Sequence, residues 1–215
     1  MDTVDAMPRL TAARRRTDAL AAARRLIVDR GIEAASVRNV AEEAGMSAGS
    51  LRHIFPSHED LFIALLEDAE ATTRARIAEV DRRTRETREA GHSVDLRKAA
   101  LELLMQIEPF GGGDGTGGTR SELLAQLAVL TANPGNGRLA RIRRQTGEAI
   151  DGLCADVVRG LTAASGVPVD VAAGALELRL LVDGIALRAL ENPDFGEADA
   201  ARIITGALDR LAPRR

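Results

Sequence analysis

The sequence predicts an all-α fold in two parts, a small N-terminal group of three helices and a larger C-terminal helical domain. Three observations carry this. Alanine and leucine are abundant while long β-branched and aromatic runs are scarce, and the 7 prolines stand mainly near expected element boundaries. Apolar residues also advance by three or four positions over long stretches, best seen in Leu139, Ile142, Thr146, Ile150, Leu153, Val157 and Leu161.

The first helix is expected from about Thr11 to Arg30, with Ala19, Ala23, Leu26 and Ile27 facing inward and Gly31 ending it. A second begins at Val37 behind Ser36 as N-cap, placing Val37, Val40, Ala41 and Ala44 on one face. Gly45 supplies a left-handed exit, and Ser47 caps a third short helix that runs to about Ile54. Pro56 and Ser57 restart the chain as a long helix carrying Leu61, Phe62, Leu65, Leu66, Ala69, Ile77 and Val80, with polar residues 81–93 read as its frayed end and a connection. Further helices are expected at 94–108, 120–132, 137–164, 169–191 and 197–211. The domains are drawn at 9–56 and 57–215.

A chain of 215 residues can bury a full-sized core. Its 45% hydrophobic and 28% charged residues exclude a wholly disordered chain. No secretory leader precedes Pro8, and Arg179, Asp183 and Arg188 interrupt the most apolar segment before it approaches the roughly 18 residues of a membrane span. A cytoplasmic protein with no membrane association is expected. A lone Cys154 forms no internal disulfide and gives no repeated thiolate spacing for zinc, and with only His53, His58 and His92 a metal centre would have to rely mainly on carboxylates, so no metal, cofactor or catalytic residue is assigned. The glycine-rich run from Gly111 to Gly118 lacks the Lys-Ser/Thr end of a phosphate-binding loop.

A formal charge of −3 gives the whole molecule no general attraction for nucleic acid. Residues 9–56 differ, with nine arginines against five acids, a local excess of four. Within them, the stretch from Ser36 to Phe55 places two short helices around a tight turn, so that the first braces the second in a major groove. Val37, Val40, Ala44, Met46, Leu51 and Phe55 form the shared core, and Ser47, Ala48, Ser50, Arg52 and His53 fall on the reading surface. Their short side chains allow close approach to the bases. Ala48 suits a thymine methyl, and Ser50 a base edge or phosphate. Arg38 and Arg52 are read as phosphate contacts.

From Ala22 through Phe62 the chain resembles the DNA-binding domain of the TetR family of transcriptional regulators, most closely in LRHIFPSHEDLF. The later segment LLVDGIALRALENPDFGEADAARIITGALDRL is similar to the C-terminal domain of the family's choline-responsive subgroup. The resemblance implies a ligand-responsive repressor that binds a palindromic double-stranded operator as a homodimer and leaves it when a small organic effector binds. Relatives often carry an aromatic hydroxyl where Ile54 stands and a lysine where His58 stands. Phosphate contact then shifts toward Arg14, Arg15, Arg38, Arg52 and backbone N–H groups near Ser57, with His58 offering a hydrogen bond at most.

Apolar positions on more than one side of residues 169–191, together with the resemblance, point to a dimer interface using Leu176, Leu180, Ile185, Leu187, Ile203, Ala207 and Leu211. The effector pocket is drawn from Leu103, Leu104, Ile107, Leu127, Leu130, Ile142, Thr146, Ile150 and Leu153. With no Trp or Tyr and 4 Phe, an aromatic cage for a quaternary ammonium is out of reach, and a largely aliphatic pocket for an apolar or weakly polar molecule is expected.

Simpler readings account for other motifs. Gly45-Met46-Ser47-Ala48-Gly49 fits the pattern of a hydrolase nucleophile elbow, but it follows a helix-forming segment where that motif needs a strand. Arg14, Arg15 and Arg16 could be a solvated helix start, Cys154 a small core hydrophobe, and Arg179 with Asp183 an ion pair one helical turn apart.

Overall fold

The computed structural model describes residues 12–108, 123–124, 137–166 and 168–211. In chain order the helices are α1 (Ala12–Arg30), α2 (Val37–Glu43), α3 (Ala48–Ile54), α4 (His58–Glu89), α5 (Leu96–Met105), α6 (Gly137–Ser165), α7 (Val171–Glu191) and α8 (Glu197–Leu211), with a 3₁₀ turn at Ile32–Ala34. Among the described residues there is no strand, and no helix is long and apolar enough to cross a membrane. The chain divides into two compact units, Met1–Leu65 and Leu66–Arg215.

In the first unit α1, α2 and α3 pack against one another. Ala19, Ala23, Leu26 and Ile27 are buried as their spacing requires, joined by Val40, Ala41, Leu51 and Phe55. Both helix starts are capped by serine. Ser36 Oγ accepts from Asn39 N at 3.2 Å, and Ser47 Oγ accepts from Ser50 N at 3.1 Å. Gly45, at φ 65°, closes α2: its own N–H donates to the Glu42 carbonyl, and the Met46 N–H donates back to the Ala41 carbonyl. That paired exit is open to a residue without a Cβ and brings α3 sharply round on α2.

The long helix α4 corrects the expectation of fraying from residue 81. It runs on to Glu89 because Arg82 bridges Glu79 and Glu86 one turn to either side, both at 2.5 Å, while buried Val80 anchors the inner face. Gly91, at φ 78°, ends it with the same pair of bonds as Gly45, here from Gly91 N to Arg88 O and from His92 N to Thr87 O. Capping carboxylates also trim two expected helices. Asp95 accepts from the N–H groups of Arg97 and Lys98, so α5 begins at Leu96, and Asp170 accepts from those of Ala172 and Ala173, so α7 begins at Val171. Of the helix expected at 120–132, all but 123–124 lie outside the described residues, as does Thr11.

In the second unit, α7 packs against α6 and α8, and α5 against α6 and α8. Leu104, Cys154, Val158, Leu178, Val182, Ile204 and Leu208 form its centre. A Cβ on Gly174 would stand 3.0 Å from Leu211 Cδ2 and 3.2 Å from Val158 Cγ1, so glycine sets how closely α7 approaches its neighbours. Arg179 ties α7 to α6: it bonds Asp183 at 2.8 Å, as its spacing implies, and also Asp151 and the Gly147 carbonyl. Burial pushes the Cys154 thiol up to about 11, consistent with a small core hydrophobe.

Candidate nucleic-acid interface and effector cavity

Local bonding builds the outward face of α3. With Leu51 and Phe55 pinned inward, Ser47, Ala48, Gly49, Arg52 and His53 are left exposed and Ser50 half-buried. Ser47 Oγ also donates to Ser50 Oγ at 3.0 Å, which orients both hydroxyls at the start of the helix. Ser47 therefore works as a cap, and nothing around it resembles a nucleophile elbow. Arg38 stands exposed on the first turn of α2, where Asn39 Nδ2 donates to the Ala34 carbonyl at 2.9 Å and fixes the approach to that turn.

Two residues expected at the DNA surface, both exposed, also make contacts within the first unit. Ser57 caps α4, accepting from Asp60 N and donating to Asp60 Oδ2 at 2.7 Å. His58 Nε2 donates to the Ala35 carbonyl at 3.1 Å, and its ring meets Phe62 edge to face at 4.5 Å. Glu59 and Asp60 further place carboxylates at the positive end of α4, where a phosphate would otherwise be drawn. Arg14, Arg38 and Arg52 stand exposed, and Arg15 is half-buried. Arg16, while exposed, lies 5.0 Å over the Phe55 ring, and Arg25 bridges to Glu43 at 2.9 Å. These contacts brace α1 against the helix-turn-helix.

The second unit contains a cavity of about 370 Å³ between α4 and α6. Of the residues expected there, Ile107, Thr146, Ile150 and Leu153 line it. Leu104 and Ile142 are buried core, Leu103 is half-buried away from the lining, and Leu127 and Leu130 lie outside the described residues. Sequence reasoning missed the α4 wall: Glu70, Thr73, Arg74, Ile77 and Asp81. The signal was present, since Thr73 and Asp81 stand one turn to either side of Ile77, already placed on the inner face. Leu123, Ala149, Gly152 and Asp156 complete the described lining. The aliphatic expectation thus describes much of the α6 wall and fails on α4, where Arg74 is held to Glu70 at 2.6 Å.

Next in sequence to the lining residue Ile107, Glu108 is fully buried with neither carboxylate oxygen hydrogen-bonded. Burial, with Asp183 adding repulsion, pushes its carboxyl up to about 8, so it is protonated at neutral pH.

On α7, Leu176, Leu180 and Leu187 are 59%, 64% and 50% exposed, a leucine stripe turned away from the core. Ile185, Ala207 and Leu211, grouped with them from sequence, belong instead to the interior of the unit, and Ile203 is half-buried beside it. Periodicity alone does not distinguish two apolar faces of one helix.

Comparison with known proteins agrees with this geometry. The family described as bacterial regulatory proteins, tetR family, matches residues 19–65, and that described as BetI-type transcriptional repressor, C-terminal, matches residues 114–213. The HTH-type transcriptional regulator PksA of Bacillus subtilis is 30% identical over 45% of this chain and 42% of its own length. The HTH-type transcriptional repressor AcnR of Corynebacterium diphtheriae is 45% identical over 31% of this chain and 33% of its own. Both matches thus span less than half of the relative. A transcriptional regulator from Rhodococcus sp. Rha1 superposes with a TM-score of 0.72 and 25% identity, covering 91% of this chain and 95% of that one.

Proposed function

Since the chain belongs to the TetR family of bacterial regulatory proteins, we propose that it is a homodimeric, sequence-specific DNA-binding repressor released from its operator by a small organic effector. One observation carries the reading: α3 is capped, braced by α2 and turned so that its short outward side chains are flanked by Arg38 and Arg52. Ala48 and Ser50 read base edges in the major groove, while Arg14, Arg15, Arg38 and Arg52 hold phosphates. The segment 9–56 reads DNA and 57–215 binds effector and partner.

The leucine stripe of α7 supports the dimer. Three large apolar side chains at least half exposed on one helix are what a self-complementary interface covers, with Ile203 at its edge. The cavity between α4 and α6 supports effector binding, because a ligand that fits one packing of these helices better than another shifts the spacing of the paired reading heads. Action on the chromosome places the protein in the cytoplasm. A band-shift titration against the intergenic DNA flanking its own gene tests the reading. The expected result is a complex that requires an inverted repeat and weakens steeply with salt; no such complex with any neighbouring promoter would overturn it.

A further inference from the structure

The lining of the cavity carries charge in a definite order. Arg138 on α6 bridges Glu67 on α4 at 3.2 Å, and both helices reach the cavity by running C-terminally from that bridge. They therefore travel in the same direction along it. Glu70 and Arg74 neutralise one another at the near end. Asp81 and Asp156, the last lining residue of each helix, share the far end. Asp156 is paired with Arg159, which is outside the lining, whereas Asp81 has no hydrogen bond or ion pair among the described residues. Between the ends, Ile77, Ile150 and Leu153 offer an apolar passage.

We propose that this cavity binds a protonated primary or secondary amine with an apolar body, its ammonium N–H groups donating to Asp81 at the end shared with Asp156. The assignment rests on the reading of the cavity as the effector site and adds the ligand's chemical class. An anion would meet the Asp81 carboxylate at that end, where Asp156 is already paired with Arg159, and the guanidinium at the other is taken by Glu70. A neutral apolar ligand would strip water from Asp81 and return no hydrogen bond. A quaternary ammonium has no N–H to donate and needs several aromatic faces. Of the 4 Phe in the chain, Phe55 and Phe62 lie in the first unit and Phe195 packs on the core of the second, leaving one, which is no cage.

Titration calorimetry on the full chain with hexylamine, hexanol, hexanoate and hexyltrimethylammonium varies the head group on a constant body. Hexylamine is expected to bind at least about tenfold more tightly than each of the others, and Asp81→Asn to remove that advantage. Asp81 is exposed on a long helix, so the variant keeps its fold. Tighter binding of hexanol, hexanoate or hexyltrimethylammonium would overturn the ligand class and leave the effector reading standing, and binding by none of the four would overturn the class as well. Amine binding that fails to release DNA in the band-shift assay would uphold the class and sink the effector reading.

Discussion

The reading helix and the cavity are built by different means. In the first unit the caps and the turn that set the start of α3 are short in sequence: Ser47 to Ser50, Gly45 to Glu42, Met46 to Ala41 and Ser36 to Asn39. In the second, the lining runs from Glu70 to Asp156 and depends on how separate helices pack. A helix start fixed by caps and one glycine turn takes its local shape from neighbouring residues and is then braced by α1, which suits a fixed reading surface. A cavity made of long-range contacts changes shape when any neighbour moves, which suits a site whose occupancy must be felt elsewhere.

The largest effect is expected at the exposed leucine stripe of α7, the proposed dimer interface. Replacing Leu176 and Leu180 together by aspartate puts charge on the exposed stripe and leaves the core untouched. Sedimentation should show a folded monomer, and operator affinity should fall by about a hundredfold or more, because linked binding to two half-sites is lost. A variant that stays dimeric would remove this stripe from the interface and leave the function of α7 open to another face.

Next comes a pH effect confined to the second unit. The Glu108 carboxyl keeps its proton up to about pH 8 when folded but releases it near the ordinary value of 4.5 when unfolded. Its contribution to stability is thus fully present below pH 4.5 and is lost as pH rises toward 8, by about 1.4 kcal/mol per unit. Denaturant unfolding of wild type from pH 5 to 8 should show this slope, and Glu108→Gln should flatten it. An unchanged slope in the variant would mean that Glu108 is not the group responsible. The first unit offers no comparable buried acid among its described residues, so the slope sharpens the contrast between the two regions.

Smaller effects divide the DNA surface by role. Arg38→Ala and Arg52→Ala should each weaken binding to all sequences by about tenfold and reduce the salt dependence by about one phosphate contact. Ser50→Ala should alter base preference more than overall affinity. Uniform loss for Ser50→Ala with no loss for either arginine would reverse the assignment.

The same division explains what could be read from the amino acids. Helix starts and turns in the first unit are written in neighbouring residues, so Ser36, Gly45 and Ser47 located α2 and α3 from sequence. Arg16 and His58 were legible only as charge or hydrogen-bonding capacity, because their partners Phe55 and Ala35 come from other elements. In the second unit, apolar spacing located α6 to α8 but gave Leu180 and Ile185 the same weight, although one is 64% exposed and the other is interior. Charge on the α4 wall was hidden for a related reason: a polar residue on an inward face reads as solvated until the neighbouring helix is in place.

The smallest expected change in stability tests whether the start of α3 is both a cap and a contact. Ser47→Ala removes the acceptor for Ser50 N and should cost about 1 kcal/mol, seen as a lowered midpoint for the first unit. Ser47→Asp preserves the cap, since aspartate caps helices as well as serine does and its charge favours the helix start. Its stability should match wild type. Yet it sets a carboxylate on the exposed end of α3, where the proposed complex brings phosphates close, so DNA affinity should drop while the midpoint does not. Alanine should do the reverse, losing stability with little change in affinity once the protein is folded. If Ser47→Asp binds operator as tightly as wild type, the N-terminal turn of α3 does not approach DNA, and the reading surface must be moved toward Arg52 and His53 at its other end.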